Sequence, residues 1–148
     1  MMSTAYLLPS LFAALSLLHV YWACGGRWGW NVALPERPAP TAPDSATARV
    51  KLFTPSRAAT LGVGCALAMA ALLVSLRAGL FAPPLRHWAL TTILTTIAVV
   101  FLARAIGDCH WVGFFKNVRN STFARLDTAV YSPLCIALAV GLLTVAYW

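Results

Sequence analysis

The sequence predicts an all-α fold: an integral membrane four-helix bundle with a polar cluster at its cytoplasmic loop end. Three observations lead there. Of 148 residues, 60% are hydrophobic and only 10% are charged, whereas a soluble domain carries about a quarter charged residues. Apolar runs of about 18 residues or more, enough for a helix to cross a bilayer, recur along the chain, and the mean hydropathy is +0.76. The formal net charge of +7 lies mostly between those runs, as expected of loops facing the cytoplasm and anionic headgroups. The aromatic residues do not interleave with the basic ones as a base-stacking platform requires, which argues against nucleic acid as a partner. Residues 1–148 are read as a single membrane domain.

The first helix spans about 5–24. Pro9 falls in its first turns, where a missing N–H does least harm, and Gly25-Gly26 terminates it. A basic n-region is missing, and bulky Tyr21 and Trp22 stand where a signal-peptidase site would need small residues, so this run reads as a retained helix. Residues 27–57 form a proline-rich loop. The prolines from Pro35 to Pro43 and the polar run Thr41 to Thr47 predict an extended or mobile segment. Trp28 and Trp30 are placed at the membrane interface.

The second helix spans about 58–76. Ala58, Gly62, Ala66 and Ala70 recur every four residues, a stripe expected to pack closely on a neighbouring helix. Pro83-Pro84 turns the chain into a third helix, about 88–107. Thr91, Thr92, Thr95 and Thr96 on this helix bond to their own backbone or line a polar path. An amphipathic loop, 108–127, follows, its Phe114, Phe115 and Phe123 set among Lys116, Arg119 and Arg125 as in a surface-lying segment. The fourth helix spans about 128–148. The ring of Pro133 would clash with the carbonyl of Ala129, predicting a kink, and Tyr147-Trp148 supplies an aromatic belt.

Loops one and three share one side of this bundle. Together they hold Arg27, Arg37, Arg49, Lys51, Arg57, Arg104, Lys116, Arg119 and Arg125, nine of the eleven basic residues. The excess of basic residues places that side in the cytoplasm and both termini outside. Several separated residues then meet at similar depth: His19 and Tyr21 at the end of helix one, Arg104 and Asp108 at the end of helix three, and Asp127 with Tyr131 at the start of helix four. Arg104 and Asp108 are spaced i,i+4 and so able to pair.

The runs Arg104-Ala-Ile-Gly-Asp108, Val112-Gly-Phe-Phe-Lys116, Phe123-Ala-Arg125-Leu-Asp127-Thr128 and Tyr131-Ser-Pro-Leu-Cys135 resemble a family of small bacterial membrane proteins known as domain of unknown function 3995. His19-Val-Tyr21-Trp22-Ala23 with Gly25-Gly26 resembles its N-terminal signature. The resemblance spans nearly the whole chain outside the proline-rich loop. It implies a four-helix protein of the bacterial inner membrane and supplies no reaction. At Cys109-His110-Trp111 the chain departs from the aromatic pair usual in the family, so His110 is not read as a family metal ligand.

No C-x-x-C, no C-x-x-C-H and no histidines at helical spacing occur, so His19, His110, Cys24 and Cys109 are read as neither a metal site nor a haem site. No cofactor is expected. Cys65 and Cys135 are read as small buried thiols. Asp108 and Asp127 admit two readings, an acid–base pair or a structural ion network with Arg104 and Arg125.

The leading functional reading is non-catalytic. A small amphiphile, lipid headgroup or partner subunit would bind through His19, Tyr21, Arg104, Asp108, Lys116, Arg125, Asp127 and Tyr131, with arginines holding an anionic group. Membrane lipids, a partner membrane subunit or a second copy of the chain are the expected partners. The alternatives are a membrane enzyme using Asp108 or Asp127 with His19 on a lipid-soluble substrate, and an oligomeric transporter or proton path along the threonine face.

Overall fold

The structure, a computed structural model, describes residues 2–38, 49–81, 83–107, 110–117 and 121–148. Helix α1 (Met2–Ala23) is followed by a single turn, α2 (Trp30–Ala33), and by an antiparallel ribbon, β1 (Glu36–Pro38) with β2 (Arg49–Lys51). Glu36 pairs opposite Lys51, and Arg37 opposite Val50. Helices α3 (Arg57–Ala78) and α4 (Trp88–Ile106) come next. The last helical stretch is continuous: α5 (Thr122–Leu126), a π turn (Asp127–Tyr131) and α6 (Ser132–Tyr147). Four of these segments are long and apolar enough to cross a membrane: Tyr6–Ala23, Arg57–Ala78, Trp88–Ile106 and Thr122–Tyr147.

Local chemistry sets the ends. Ser56 caps α3 by accepting from the Ala59 N–H at 3.1 Å, as a short hydroxyl side chain at an N-cap should. Gly79 closes α3 with φ +72°, and Leu80 N–H donates to Ser75 O at 3.0 Å, the pattern of a left-handed glycine cap. His87 Nδ1 accepts from Ala89 N–H at the start of α4.

Helices α1 and α3 form one closely packed pair, and α4 and α6 the other. Between the pairs lies a core of Phe12, Val74, Leu94, Ala98, Leu138 and Leu142. The Phe12 and Phe101 rings meet at 5.7 Å, tilted by 57°. Leu17, Met69, Val99, Val100 and Val140 point outward and are exposed, the surface expected of helices solvated by lipid.

The predicted small-residue stripe is not the packing face of α3. Ala58, Gly62 and Ala66 are exposed, and of the four only Ala70 is buried. The face turned inward carries Thr60, Gly64, Val74 and Ser75. Gly64 is the point of close approach: a Cβ there would lie 3.3–3.4 Å from Val20, His19 and the Ser16 carbonyl of α1. Ser16 Oγ donates to Gly64 O at 2.8 Å. A polar hydroxyl on α1 therefore chose the face. Cys65, next to Gly64, is exposed rather than buried, Cys135 is half-buried, and Cys24, Cys65 and Cys135 are free thiols.

At the end of the bundle near the termini, Arg77 Nη2 donates to Ala146 O at 2.6 Å. A cation thus caps the negative end of α6, where unpaired carbonyls favour positive charge. Nearby, Thr95 Oγ1 donates to its own helix at Thr91 O and lies 3.3 Å from Tyr147 Oη. Thr92 and Thr96 bond their own backbone and are exposed.

At the other end, the described part of the first loop, expected to be extended or mobile, contains α2 and the ribbon. The remainder of the proline-rich run, residues 39–48, lies outside the described residues. The kink expected at Pro133 takes the form of the π turn. Ser132 N–H donates five residues back, to Asp127 O, and the widened turn lets Pro133 enter in the first turn of α6, where its missing N–H matters least.

Candidate functional site

The site is built by two glycines. At the end of α4 the chain reverses through Gly107, with φ +83°, and Gly113, with φ +86°. Only glycine adopts such angles without a Cβ penalty. The two backbones also touch: a Cβ on Gly107 would collide with the Val112 carbonyl, and one on Gly113 with the Ile106 carbonyl. Phe114 N–H then donates to Ala105 O at 2.9 Å. The described start of the third loop, residues 110–117, is thereby folded back against the end of α4. Of the residues expected to lie at the membrane surface, Lys116 and Phe123 are buried, while Phe114 and Phe115 are exposed.

This reversal brings three charges together. Asp127 opens the π turn and is 0% exposed. Its Oδ1 accepts from Arg104 Nη2 at 2.8 Å. Its Oδ2 accepts from Gly113 N–H at 2.7 Å and from Lys116 Nζ at 3.0 Å. Lys116, only 2% exposed, also donates to Gly113 O at 2.8 Å and to Thr128 Oγ1 at 2.6 Å. Burying charges is unfavourable unless partners replace the lost water, and here the carboxylate is met by three donors and the ammonium by three acceptors. Among the described residues the network holds two cations and one anion. Arg104, whose side chain is 35% exposed, is the cation that still reaches solvent.

The structure brings Arg104, Lys116 and Asp127 into one network, and of the other predicted site residues that are described, His19, Tyr21, Arg125 and Tyr131 make no hydrogen bond to it. Tyr131 lies on the same π turn, its Oη donating to Val32 O at 3.2 Å, so it ties the first loop to the fourth helix. Arg125 is exposed and outside the network. Residues two apart do not share a helix face, and Lys116 takes the role of second cation beside Asp127. His19 Nδ1 bonds Leu15 O of its own helix at 2.8 Å, and its ring packs on Trp22 at 5.2 Å. The Oη of Tyr21 accepts from Trp28 N–H at 3.4 Å, and its ring fills the space a Cβ on Gly26 would need. Asp108 and the i,i+4 pairing expected for it with Arg104 lie outside the described residues. Among the described residues no three His, Cys, Asp or Glu side chains gather as metal ligands.

Sequence reasoning missed two participants in the network, the Gly113 N–H and the Thr128 hydroxyl. The glycine was visible in the sequence, but its positive φ and its carboxylate partner depend on a contact that crosses the loop.

Arg125 does border a feature of its own. A groove of about 740 Å³ runs along α5 and the π turn, lined by Phe114, Arg125, Leu126, Thr128 and Ala129 among others. Arg125 has no ion-pair partner among the described residues. Thr128 joins the groove to the buried network through its bond from Lys116.

A family model described as a protein of unknown function (DUF3995) matches residues 12–142. No curated protein and no solved structure matches the chain.

Proposed function

The chain belongs to the DUF3995 family, and we propose from its geometry that it is a non-catalytic multi-pass membrane protein that holds a small anionic amphiphile in the groove beside the π turn. One observation carries this reading: the groove joins Arg125, a guanidinium with no ion-pair partner among the described residues, to apolar walls from Phe114, Leu126 and Ala129. Such a site suits a ligand with a charged head and a greasy body, the guanidinium gripping an anionic oxygen pair and the walls excluding water. The buried Arg104–Asp127–Lys116 network serves this site by holding the third loop and the π turn in fixed relation. In this reading the loop end faces the cytoplasm of a bacterial inner membrane, supported by the concentration of basic residues in loops one and three.

Acid–base chemistry by His19 with Asp127 is less well supported. His19 is engaged with its own helix, and the Asp127 carboxylate already accepts from three donors. The test is native mass spectrometry of the full chain, gently extracted from its own membrane, beside an Arg125→Gln variant. The expected result is a bound amphiphile on the wild type and about tenfold less on the variant, the loss of one charge-assisted contact. Equal retention by both, or bare protein in both, overturns the reading.

A further inference from the structure

A second recess lies at the same end of the bundle, between the end of α1 and the start of α3. It has a volume of about 430 Å³ and is lined by Trp22, Gly26, Arg27, Trp30, Asn31 and Arg57, with Gly25. We propose that it binds a phosphate-type dianion, presented by a lipid headgroup or by a soluble phosphate compound. The inference is independent of the Arg125 groove, because the two share no residue.

The recess is made by the turn that ends α1. Cys24, Gly25 and Gly26 N–H groups donate back to Val20, Trp22 and Tyr21 carbonyls, and Gly25 has φ +98°. The Tyr21 ring lies against Gly26 where any larger residue would clash. The chain therefore reverses sharply and delivers Arg27 beside Arg57, the first residue of α3. Trp22 is fixed by its Nε1–H bond to Trp28 O at 2.7 Å and by an edge contact with Trp30 at 5.8 Å. The tryptophans thus form a rigid wall, of the amphipathic kind favoured at a membrane interface.

The charged side chains of the recess, Arg27 and Arg57, are donors only. No described carboxylate lies within ion-pair distance of Arg27 or Arg57. Asn31 would offer an acceptor, but its Oδ1 is taken by Lys51 Nζ at 2.9 Å. That bond orients the amide and leaves its N–H₂ as the free branch. Lys51 in turn sits 5.8 Å from the centre of the Trp30 ring, a cation–π distance that anchors the ribbon to the pocket wall. Two guanidiniums and an amide N–H₂ line the recess beside the first residue of α3, with no anion among its described lining residues. Guanidinium forks match phosphate oxygens in pairs, and a helix start favours the same charge.

The experiment uses the full chain in nanodiscs. One set contains phosphatidylcholine with a few per cent phosphatidic acid, and the other phosphatidylcholine alone with added inorganic phosphate. Ligand retention is read by native mass spectrometry for wild type, Arg27→Gln/Arg57→Gln and Arg86→Gln. Arg86 is exposed at the opposite end, and its variant, which removes one charge, is the control for a general loss of positive charge. The expected result is about tenfold weaker retention in the double variant, with Arg86→Gln unchanged. Loss of phosphatidic acid alone identifies a headgroup site, and loss of inorganic phosphate identifies a soluble ligand of the same chemistry. Both arginines are exposed, so the variant should unfold at the wild-type temperature. If it does not, the single variants are measured, each expected about threefold weaker. Retention of both probes equal to wild type, or an equal fall in Arg86→Gln, overturns the proposal.

Discussion

Replacing Asp127 by Asn tests whether the buried network is a structural lock. The substitution keeps the shape and removes the charge. One of the two positions that now accept must become an N–H₂ group, facing either Arg104 or the Gly113 N–H and Lys116. At 2% exposure Lys116 has no water to turn to. Removing one partner of a buried pair costs about 3–5 kcal/mol, because the other charge stays buried without that counter-ion. Lys116→Met should cost a similar amount for the same reason. Arg104→Gln should cost about 1 kcal/mol, since that side chain is 35% exposed and water screens much of the pairing. The assay is reversible unfolding in mixed micelles of increasing denaturing detergent, followed by tryptophan fluorescence. The double variant Asp127→Leu/Lys116→Met should recover most of the loss, because it removes both charges together. A cost below about 1 kcal/mol for Asp127→Asn, or equal costs for Arg104→Gln and Lys116→Met, would refute the reasoning.

Three further outcomes are expected. Gly113→Ala should destabilise the protein by more than about 2 kcal/mol in the same assay, combining a positive-φ penalty with a backbone collision, whereas Gly62→Ala, where a Cβ meets open space, should be neutral or slightly stabilising. Arg77→Gln should lower stability by about 1–2 kcal/mol by uncapping α6 at Ala146, and hydrogen exchange should rise first in residues 144–148. A phosphatase reporter active only outside the cytoplasm, fused after Trp148, should be active; an inactive but expressed fusion would reverse the proposed orientation.

The four spans were legible because length and apolarity alone decide them. The packing face of α3 was not, since Ala58, Gly62, Ala66 and Gly64 all lie on one small-residue helix. Only the Ser16 hydroxyl on another helix distinguishes them. The gathering of charge at the loop end was legible from residue type. Its partners were not: Lys116 reaches Asp127 through the Gly107–Gly113 contact, which no spacing rule encodes. The separation of Arg125 from Asp127 was, by contrast, readable from helical periodicity. Pro133 announced an irregularity correctly, and the choice of a widened turn over a bend follows from what Asp127 must reach.

That widened turn sets a phase. A helix advances about 100° per residue, so the extra residue held between Asp127 and Tyr131 turns everything before it relative to α6. With it, Asp127 faces the buried lysine while Leu138 and Leu142 face the core. Deleting one residue at Ala129 would restore an ordinary α turn and leave α6 seated, yet swing the carboxylate away by roughly a quarter of the circle. The length of this segment is therefore as strict a requirement on the chain as the identity of any charged residue in it.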